Sequence, residues 1–148
     1  MWEVLLNAYY RPHHQRLADA VDAELKREGR AVILDCHSFL SMPLPYERDQ
    51  NPERPDICIG TDDHHTAGAL LEAVKDQCRA EGISFGVNRP FAGCIVPMAH
   101  FAKNRDVCSI MLEVNRRLYL DEKTGKKSGS FENCRSSVGR QVSRRSTA

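Results

Sequence analysis

Short apolar runs separated by polar, turn-rich segments set the pattern of this chain. Continuous apolar residues predict buried strands at residues 31–36, 57–60, 84–87 and 107–114. We also expect helices, in which apolar residues recur at helical spacing, between the first three of these strands. Strands that alternate with helices predict an α/β domain, in which each helical crossover favours parallel pairing.

The helical segments have recognisable limits. Leucine and valine at every fourth position predict a helix from about residue 12 to Gly29, a residue type that commonly ends helices. A second stripe runs through residues 70–74. Residues 131–148 are mostly polar, so we expect a weak helix and a frayed tail there.

Length and composition bound the class of protein. The 148 residues, 41% of them apolar, predict one domain over residues 1–135 with a polar tail over 136–148. The net charge of +1 gives no reason to expect nucleic acid or an acidic membrane as a partner. No apolar run approaches the roughly 20 residues that span a bilayer, and the first residues lack a signal peptide's basic region. We therefore expect a cytoplasmic protein.

The six cysteines are scattered and form no CxxC pair, which predicts free thiols in a reducing compartment. Cys36 stands beside His37, an arrangement that suggests a nucleophile and its base. Neighbours along a strand point to opposite faces, however, so that pairing is geometrically poor. A cysteine hydrolase that uses Cys36 or Cys108 remains an open, weaker hypothesis.

The first strand ends in Asp35, Cys36, His37 and Ser38. Open α/β sheets bind ligands at the carboxyl ends of their strands. Histidine is the side chain best suited to bind a metal or move a proton near neutral pH. The sequence therefore indicates chemistry at His37, with a hydrogen-bonded structural histidine as an equally open interpretation.

Glu113 interrupts the most apolar strand of the chain. A carboxylate in a central strand costs several kcal/mol unless it is paired or bound to a cation. This cost favours a functional role for Glu113 over a structural one.

Other polar residues lie near predicted strand ends. Asn88 and Arg89 follow the third strand, and the arginine offers a planar fork of donors that suits a carboxylate. Arg116 follows the fourth strand, where a salt bridge to a nearby acid is the alternative. The proline-rich loop over residues 38–55 is long enough to form the wall of a pocket.

Two histidine pairs attract attention but diverge in space. His13 and His14 are adjacent on a helix and point about 100° apart, so a solvated or capping role competes with a role near substrate. The run from Asp62 to His65 lies before the second helix, where acids are expected from the helix dipole alone. We expect Thr61, Asp62 or Asp63 to cap that helix.

Five of these stretches together resemble the N-formylglutamate amidohydrolase family. They occur in the family's order and cover most of residues 9–135. The matching stretches are Tyr10-Arg11-Pro12-His13-His14, Leu34-Asp35-Cys36-His37-Ser38, Pro55-Asp56-Ile57-Cys58-Ile59-Gly60-Thr61, Asn88-Arg89-Pro90-Phe91-Ala92-Gly93 and the segment from Met111 to Glu122.

The resemblance implies a fold similar to the zinc carboxypeptidases, with a mostly parallel or mixed sheet, helices on both faces and one zinc ion. It also implies hydrolysis of the formyl amide of N-formylglutamate, or of a related N-acyl amino acid, to formate and glutamate in histidine degradation. The resemblance implies that His37 is a zinc ligand and that Glu113 is the general base. Asn88, Arg89 and Arg116 are expected to bind substrate, and Asp35, Ser38 and His13 to support them.

One part of the family pattern is missing. In these hydrolases two further zinc ligands, a histidine and an acid, come from a segment well before the His-Ser strand. Only 36 residues precede His37, so we expect an N-terminally truncated domain with an incomplete zinc site. The alternative is a non-catalytic remnant, or a subunit whose partner supplies the ligands. An incomplete sheet also predicts oligomerisation through its exposed edge.

Overall fold

The computed structural model describes residues 2–143 of the chain. Its four strands form one mixed sheet in which the first and fourth pair in parallel, as do the second and third, whereas the second and fourth are antiparallel. The strands are β1 (Ala31–Phe39), β2 (Ile57–Gly60), β3 (Phe85–Val87) and β4 (Val107–Asn115), in the spatial order β1-β4-β2-β3.

The predicted α/β class and all four strand positions are confirmed. The expectation of parallel pairing fails for β2 and β4. The expected helix between β1 and β2 is absent, because α2 precedes β1 and a loop connects these two strands. No helix connects β3 to β4 either, so β2 and β3 run opposite to β1 and β4, and β4 lies between β1 and β2. Residues 94–96, which lie between β3 and β4, are irregular in the described chain.

The helices lie on both faces of the sheet. They are α1 (Trp2–Leu5), a π-helical turn (Leu6–Tyr10), α2 (Arg11–Glu28), α3 (Gly68–Ala80), a 3-10 turn (Arg116–Leu118) and α4 (Phe131–Ser143). As predicted, α2 ends at Gly29, which adopts the left-handed conformation with φ 72°. The predicted tail therefore begins within α4, and residues 144–148 lie outside the described residues.

The predicted cap of α3 is wrong. The helix begins after Ala67, which contributes no side-chain cap. The Asp62 carboxylate instead accepts hydrogen bonds from the backbone N–H groups of His64 and His65, both at 2.9 Å. This carboxylate closes a separate turn before the helix, because aspartate readily bonds backbone donors two or three residues ahead.

Each face of the sheet has its own hydrophobic cluster. On one face, Val21 of α2 packs with Ala31, Ile33, Val107 and neighbouring residues. On the other, α3 packs against a larger cluster that contains Ile57, Ile59, Leu70, Val74, Ile110 and Leu112. This arrangement leaves the carboxyl ends of β1 and β4 beyond the area that α2 covers. Within residues 2–143, no helix combines the length and apolar character needed to cross a bilayer.

Gly60, the last residue of β2, has no side chain, so another segment of the chain packs closely against it. A β-carbon at this position would overlap the Gly93 carbonyl oxygen and the Met111 side chain. The backbone around Gly93 therefore packs directly on the end of β2.

Gly60→Ala should lower the free energy of unfolding by about 2–3 kcal/mol, because the added methyl group overlaps backbone as well as side chain. Urea denaturation measures this change. Gly68→Ala is the matched control: a β-carbon there meets nothing within 4 Å, so its effect should be neutral or stabilising by up to about 1 kcal/mol. Equal losses in both variants would contradict this account.

Candidate active site

The pairing of β1 with β4 places the two principal candidates side by side. In this parallel register His37 is opposite Glu113, and Asp35 is opposite Met111. Paired residues on neighbouring strands project from the same face, and neighbouring strands lie about 4.8 Å apart. His37 and Glu113 therefore meet on one face, near the carboxyl end of both strands.

Asp35 orients the imidazole of His37. The His37 Nε2 and Asp35 Oδ1 atoms are 2.7 Å apart, and the second carboxylate oxygen accepts the Ile95 backbone N–H at 3.1 Å. The Asp35 side chain is only 16% exposed, whereas that of His37 is 51% exposed. A carboxylate at Nε2 fixes the proton there and leaves the Nδ1 lone pair available to a proton or a metal.

Glu113 is a carboxyl group with an altered proton affinity. Burial raises its pKa above the ordinary value of 4.5. The charge of His37 opposes this rise, the negative charges of Asp35 and Glu47 add to it, and Arg116 opposes it less strongly. A glutamate with a raised pKa suits proton transfer near neutral pH, because it both accepts and returns a proton readily.

Arg116 is fixed close to this pair. Its Nε donates to the Ser38 hydroxyl at 3.1 Å and its Nη2 to the Ser38 carbonyl at 3.4 Å. Ser38 is the residue after His37, so one short segment carries both the imidazole and the group that holds the arginine. The structure thus brings Asp35, His37, Ser38, Glu113 and Arg116 together.

The loop after β1 contributes residues that sequence reasoning missed. Arg54 is almost completely buried, and its guanidinium carbon lies 5.8 Å and 5.9 Å from the ring centres of Phe39 and Phe91. It forms an ion pair with Glu47, the carboxylate that helps to raise the pKa of Glu113. The only sequence signal for these residues is the length of the loop.

A third residue that sequence reasoning missed lies beside Glu113 on β2. Cys58 is fully buried and is opposite Glu113 in the antiparallel register. Its thiol donates to the Phe91 carbonyl at 3.1 Å, and burial raises its pKa. The thiol is therefore neutral and serves to hold the loop around Phe91 against the sheet.

Asn88 and Arg89 are engaged with protein groups. Asn88, in the left-handed region with φ 55°, accepts from the Thr61 backbone N–H at 2.8 Å and donates to the Thr61 hydroxyl at 2.7 Å. Arg89 Nε donates to Asp49 at 2.9 Å, and the Arg89 side chain is 52% exposed. Their roles in substrate binding remain predictions.

The two histidine pairs lie in different environments. His13 is an exposed residue of α2, with its ring centre 5.3 Å from that of His14, and its predicted supporting role remains a prediction. His65 is buried: its Nδ1 lies 2.7 Å from the Val107 carbonyl, and its Nε2 accepts the Ala102 N–H at 2.9 Å. Both nitrogens of His65 thus stabilise the fold.

The described residues do not make a complete metal site. Among residues 2–143, no three or more histidine, cysteine, aspartate or glutamate side chains are arranged to hold a metal ion. All six cysteines, which fall within this range, are free thiols as expected. His37 is one available ligand, with Glu113 beside it.

Comparison with known proteins explains the arrangement. A family model for N-formylglutamate amidohydrolase matches residues 1–120. The chain belongs to the N-formylglutamate amidohydrolase family. The match includes both strands that carry the candidate pair, so the resemblance seen in the sequence is confirmed. The comparison with curated proteins gives no match.

Solved structures agree with the family assignment. The crystal structure of an N-formylglutamate amidohydrolase from Ralstonia eutropha JMP134 matches with a TM-score of 0.81 and 26% identity, over 96% of this chain and 51% of that one. The gene product Atu2144 from Agrobacterium tumefaciens matches with a TM-score of 0.55 and 18% identity, over 95% and 52%, and shows the shared fold alone. This family member therefore spans about half the length of these relatives.

Glu113→Gln should stabilise the protein at pH 7 in the presence of a chelator, because the raised pKa means that the folded state prefers the protonated carboxyl. The carboxyl's favourable contribution to folding is complete below pH 4.5 and is lost as the pH rises through its folded pKa, so the advantage of the variant should disappear below pH 4.5. Urea unfolding at pH 7 and pH 4 measures both effects.

Asp121→Asn is the control with the opposite sign. Hydrogen bonds from the Lys123 backbone N–H and from Thr124 lower the pKa of Asp121. The ionised carboxylate therefore favours folding above the ordinary value of 3.8, and its amide should destabilise the protein at pH 7. A Glu113→Gln variant that loses stability at pH 7 would contradict the environment described for Glu113.

Proposed function

We propose that this chain forms part of a cytoplasmic amidohydrolase that cleaves the formyl amide of N-formylglutamate, or of a related N-acyl amino acid. The products would be formate, or another carboxylate, and glutamate, in a step of histidine degradation. The observation that supports this proposal is the juxtaposition of His37 and Glu113 in a chain that belongs to the family.

Glu113 is the proposed proton carrier. Hydrolysis of an amide requires a base to take a proton from the attacking water and an acid to give one to the leaving amine. One carboxyl group with a raised pKa performs both transfers in turn. Glu113 would be ionised before the first transfer, neutral between the two and ionised again after the second, and the positive charge of Arg116 favours its ionised form.

Asp35 and Ser38 are proposed as positioning residues. Asp35 holds the imidazole of His37 by its Nε2 atom, so that Nδ1 faces away from the carboxylate. Ser38 holds the guanidinium of Arg116, whose remaining donors would bind a carboxylate of the substrate. Arg89 and Asn88 would contribute to substrate binding from the loop that follows β3.

The resemblance implies a zinc ion, which when bound would polarise the amide carbonyl and acidify the attacking water. The described residues do not fit a catalytic zinc by themselves, since such a site takes about three protein ligands. His37 Nδ1 would supply one ligand, and the others would have to come from outside residues 2–143. We therefore propose zinc dependence for the complete site only.

A second candidate function is non-catalytic. The absence of a three-ligand group among the described residues supports a remnant, or a subunit completed by a partner. A histidine with no further ligands should bind zinc weakly, because structural and catalytic sites alike draw on several ligands. The two candidates differ in measurable metal content.

Metal analysis and an N-formylglutamate assay on the purified chain separate the candidates. A purified chain that assembles the complete site should contain stoichiometric zinc that falls at least tenfold in His37→Ala, and its hydrolysis should fall about 10²–10⁴-fold in Glu113→Gln with zinc retained. Negligible metal and activity in the unmodified chain would favour the non-catalytic candidate.

Matched variants control for nonspecific loss. His14→Ala removes another histidine, from the surface of α2, and should leave the zinc content unchanged. Glu132→Gln removes an exposed carboxylate of α4 and should leave the activity unchanged. Equal losses in these variants would argue against a specific role for His37 and Glu113.

We also propose that the chain associates through the edge of β1. In the described chain β1 is an outer strand that pairs with β4 alone, and Val32 on it is 49% exposed. Exposed apolar side chains also cluster in residues 2–10, among them Trp2 and Tyr9. An open strand edge beside apolar surface favours pairing with another chain.

Sedimentation velocity over a range of concentrations tests this association. Val32→Lys should weaken self-association about tenfold or more, because a charge on an edge strand disfavours strand pairing. Met98→Lys is the control, since Met98 is 78% exposed and lies outside the sheet. A monomer at every concentration would contradict the proposal.

A further inference from the structure

The segment that leads into β4 forms two tight turns over residues 97–104. The backbone N–H groups of His100 and Phe101 donate to the Pro97 carbonyl at 2.8 and 3.0 Å, and that of Asn104 donates to the His100 carbonyl at 3.1 Å. Most residues of this 97–104 segment are exposed. Its position on the domain therefore depends on the contacts that it makes with other elements.

The buried side chain of His65 makes the closest of these contacts. Ala102 donates its backbone N–H to His65 Nε2 at 2.9 Å, and the Phe101 ring stacks on the imidazole with the ring centres 5.8 Å apart. On the other side of the ring, His65 Nδ1 lies 2.7 Å from the Val107 carbonyl oxygen of β4. Ala102 has a positive φ of 54°, which alanine rarely adopts, so these contacts hold its backbone in an unfavourable conformation.

The two hydrogen bonds of His65 require one protonation state of its ring. A carbonyl oxygen only accepts, so Nδ1 carries a proton, and a backbone N–H only donates, so Nε2 carries none. A second proton, on Nε2, would face the Ala102 N–H and break that hydrogen bond. The attached 97–104 segment therefore fits the neutral imidazole and not the imidazolium.

The titratable groups around His65 leave this conflict in place. In its own turn, the Asp62 carboxylate accepts the backbone N–H groups of His64 and His65, and the His64 ring centre lies 4.7 Å from that of His65. The strand β4 presents a backbone carbonyl to the ring. The charged residues Lys103 and Arg105, on the chain that leads into β4, are exposed. A proton on Nε2 thus still meets a backbone amide.

A second histidine, within the segment, responds to acid in the opposite sense. His100 Nε2 lies 2.8 Å from Asp22 Oδ1 on α2, and the His100 side chain is 15% exposed. Protonation of His100 would strengthen this contact, because a hydrogen bond between two charged groups is stronger than one with a neutral partner. Acid would therefore weaken the attachment of the segment to His65 and strengthen its attachment to α2.

We propose that the 97–104 segment is a pH-dependent element, which detaches from His65 in mild acid and stays attached to α2 through His100 and Asp22. This inference is independent of the proposed function. An imidazole in water binds a proton with a pKa of about 6.5. Because the detached form accepts this proton and the attached form does not, the ratio of detached to attached chains should rise about tenfold from pH 7.5 to pH 5.5.

Amide hydrogen exchange measured by NMR tests the proposal. The protection factor of the Ala102 amide, which compares its exchange rate with that of an unstructured amide, should fall about tenfold from pH 7.5 to pH 5.5. The ¹⁵N signals of the His65 ring should show a proton on Nδ1 alone at pH 7.5. A ring that carries its proton on Nε2 at pH 7.5, or an Ala102 protection factor that does not change, would overturn the proposal.

Three variants assign the response to His65. His65→Gln removes the titrating ring, so the Ala102 protection factor should no longer depend on pH. His14→Gln removes a histidine of α2 that does not contact the segment and should keep the full response. His100→Gln should keep the response or enlarge it, because the opposing contact is lost.

A response that persists in His65→Gln would contradict the role of this ring. The ring signals of the unmodified chain decide the question if His65→Gln does not fold. A His65 ring that becomes protonated as the Ala102 protection factor falls would support the proposal. A ring that becomes protonated while Ala102 stays protected would overturn it.

Discussion

The parallel pairing of β1 with β4 is the constraint on which the candidate site depends. One register places His37 opposite Glu113, although the two are 76 positions apart in the sequence. A shift of one residue would send one of the two side chains to the opposite face, because side chains alternate along a strand. The buried apolar residues on both faces oppose such a shift, so the hydrophobic core also fixes the geometry of the site.

Around this pair, distant segments adjust the charges. The loop after β1 brings Glu47 towards Glu113 and balances it with the buried Arg54, which is held between two phenylalanine rings. Burial then raises the pKa of Glu113, while His37 and Arg116 limit the rise. The result is a carboxyl group near a histidine and an arginine, on the face of the sheet that the loops only partly cover.

Many residues of the candidate site could be predicted from the sequence. The others could not, for physical reasons. Asp35, His37 and Glu113 could be predicted as candidate site residues, because a polar side chain in a buried apolar strand needs a hydrogen-bonding or charged partner. Glu47 and Arg54 could not be predicted in this way. The loop after β1 that carries them has no hydrophobic periodicity, and contacts with distant parts of the chain determine its path. Asp62 closes a turn and does not cap α3 as expected, since the same residue type serves both structures. The antiparallel pairing of β2 with β4 follows from an irregular segment whose direction no local pattern encodes.

This chain matches about half of a solved N-formylglutamate amidohydrolase and contains an imidazole–carboxylate pair. A ¹³C NMR titration of the Glu113 carboxyl, in chelator, tests that pair most directly. The account predicts a pKa above the ordinary 4.5 in the unmodified chain and a further rise in His37→Ala, because the imidazolium stabilises the carboxylate. An ordinary pKa that does not respond to His37→Ala would contradict it.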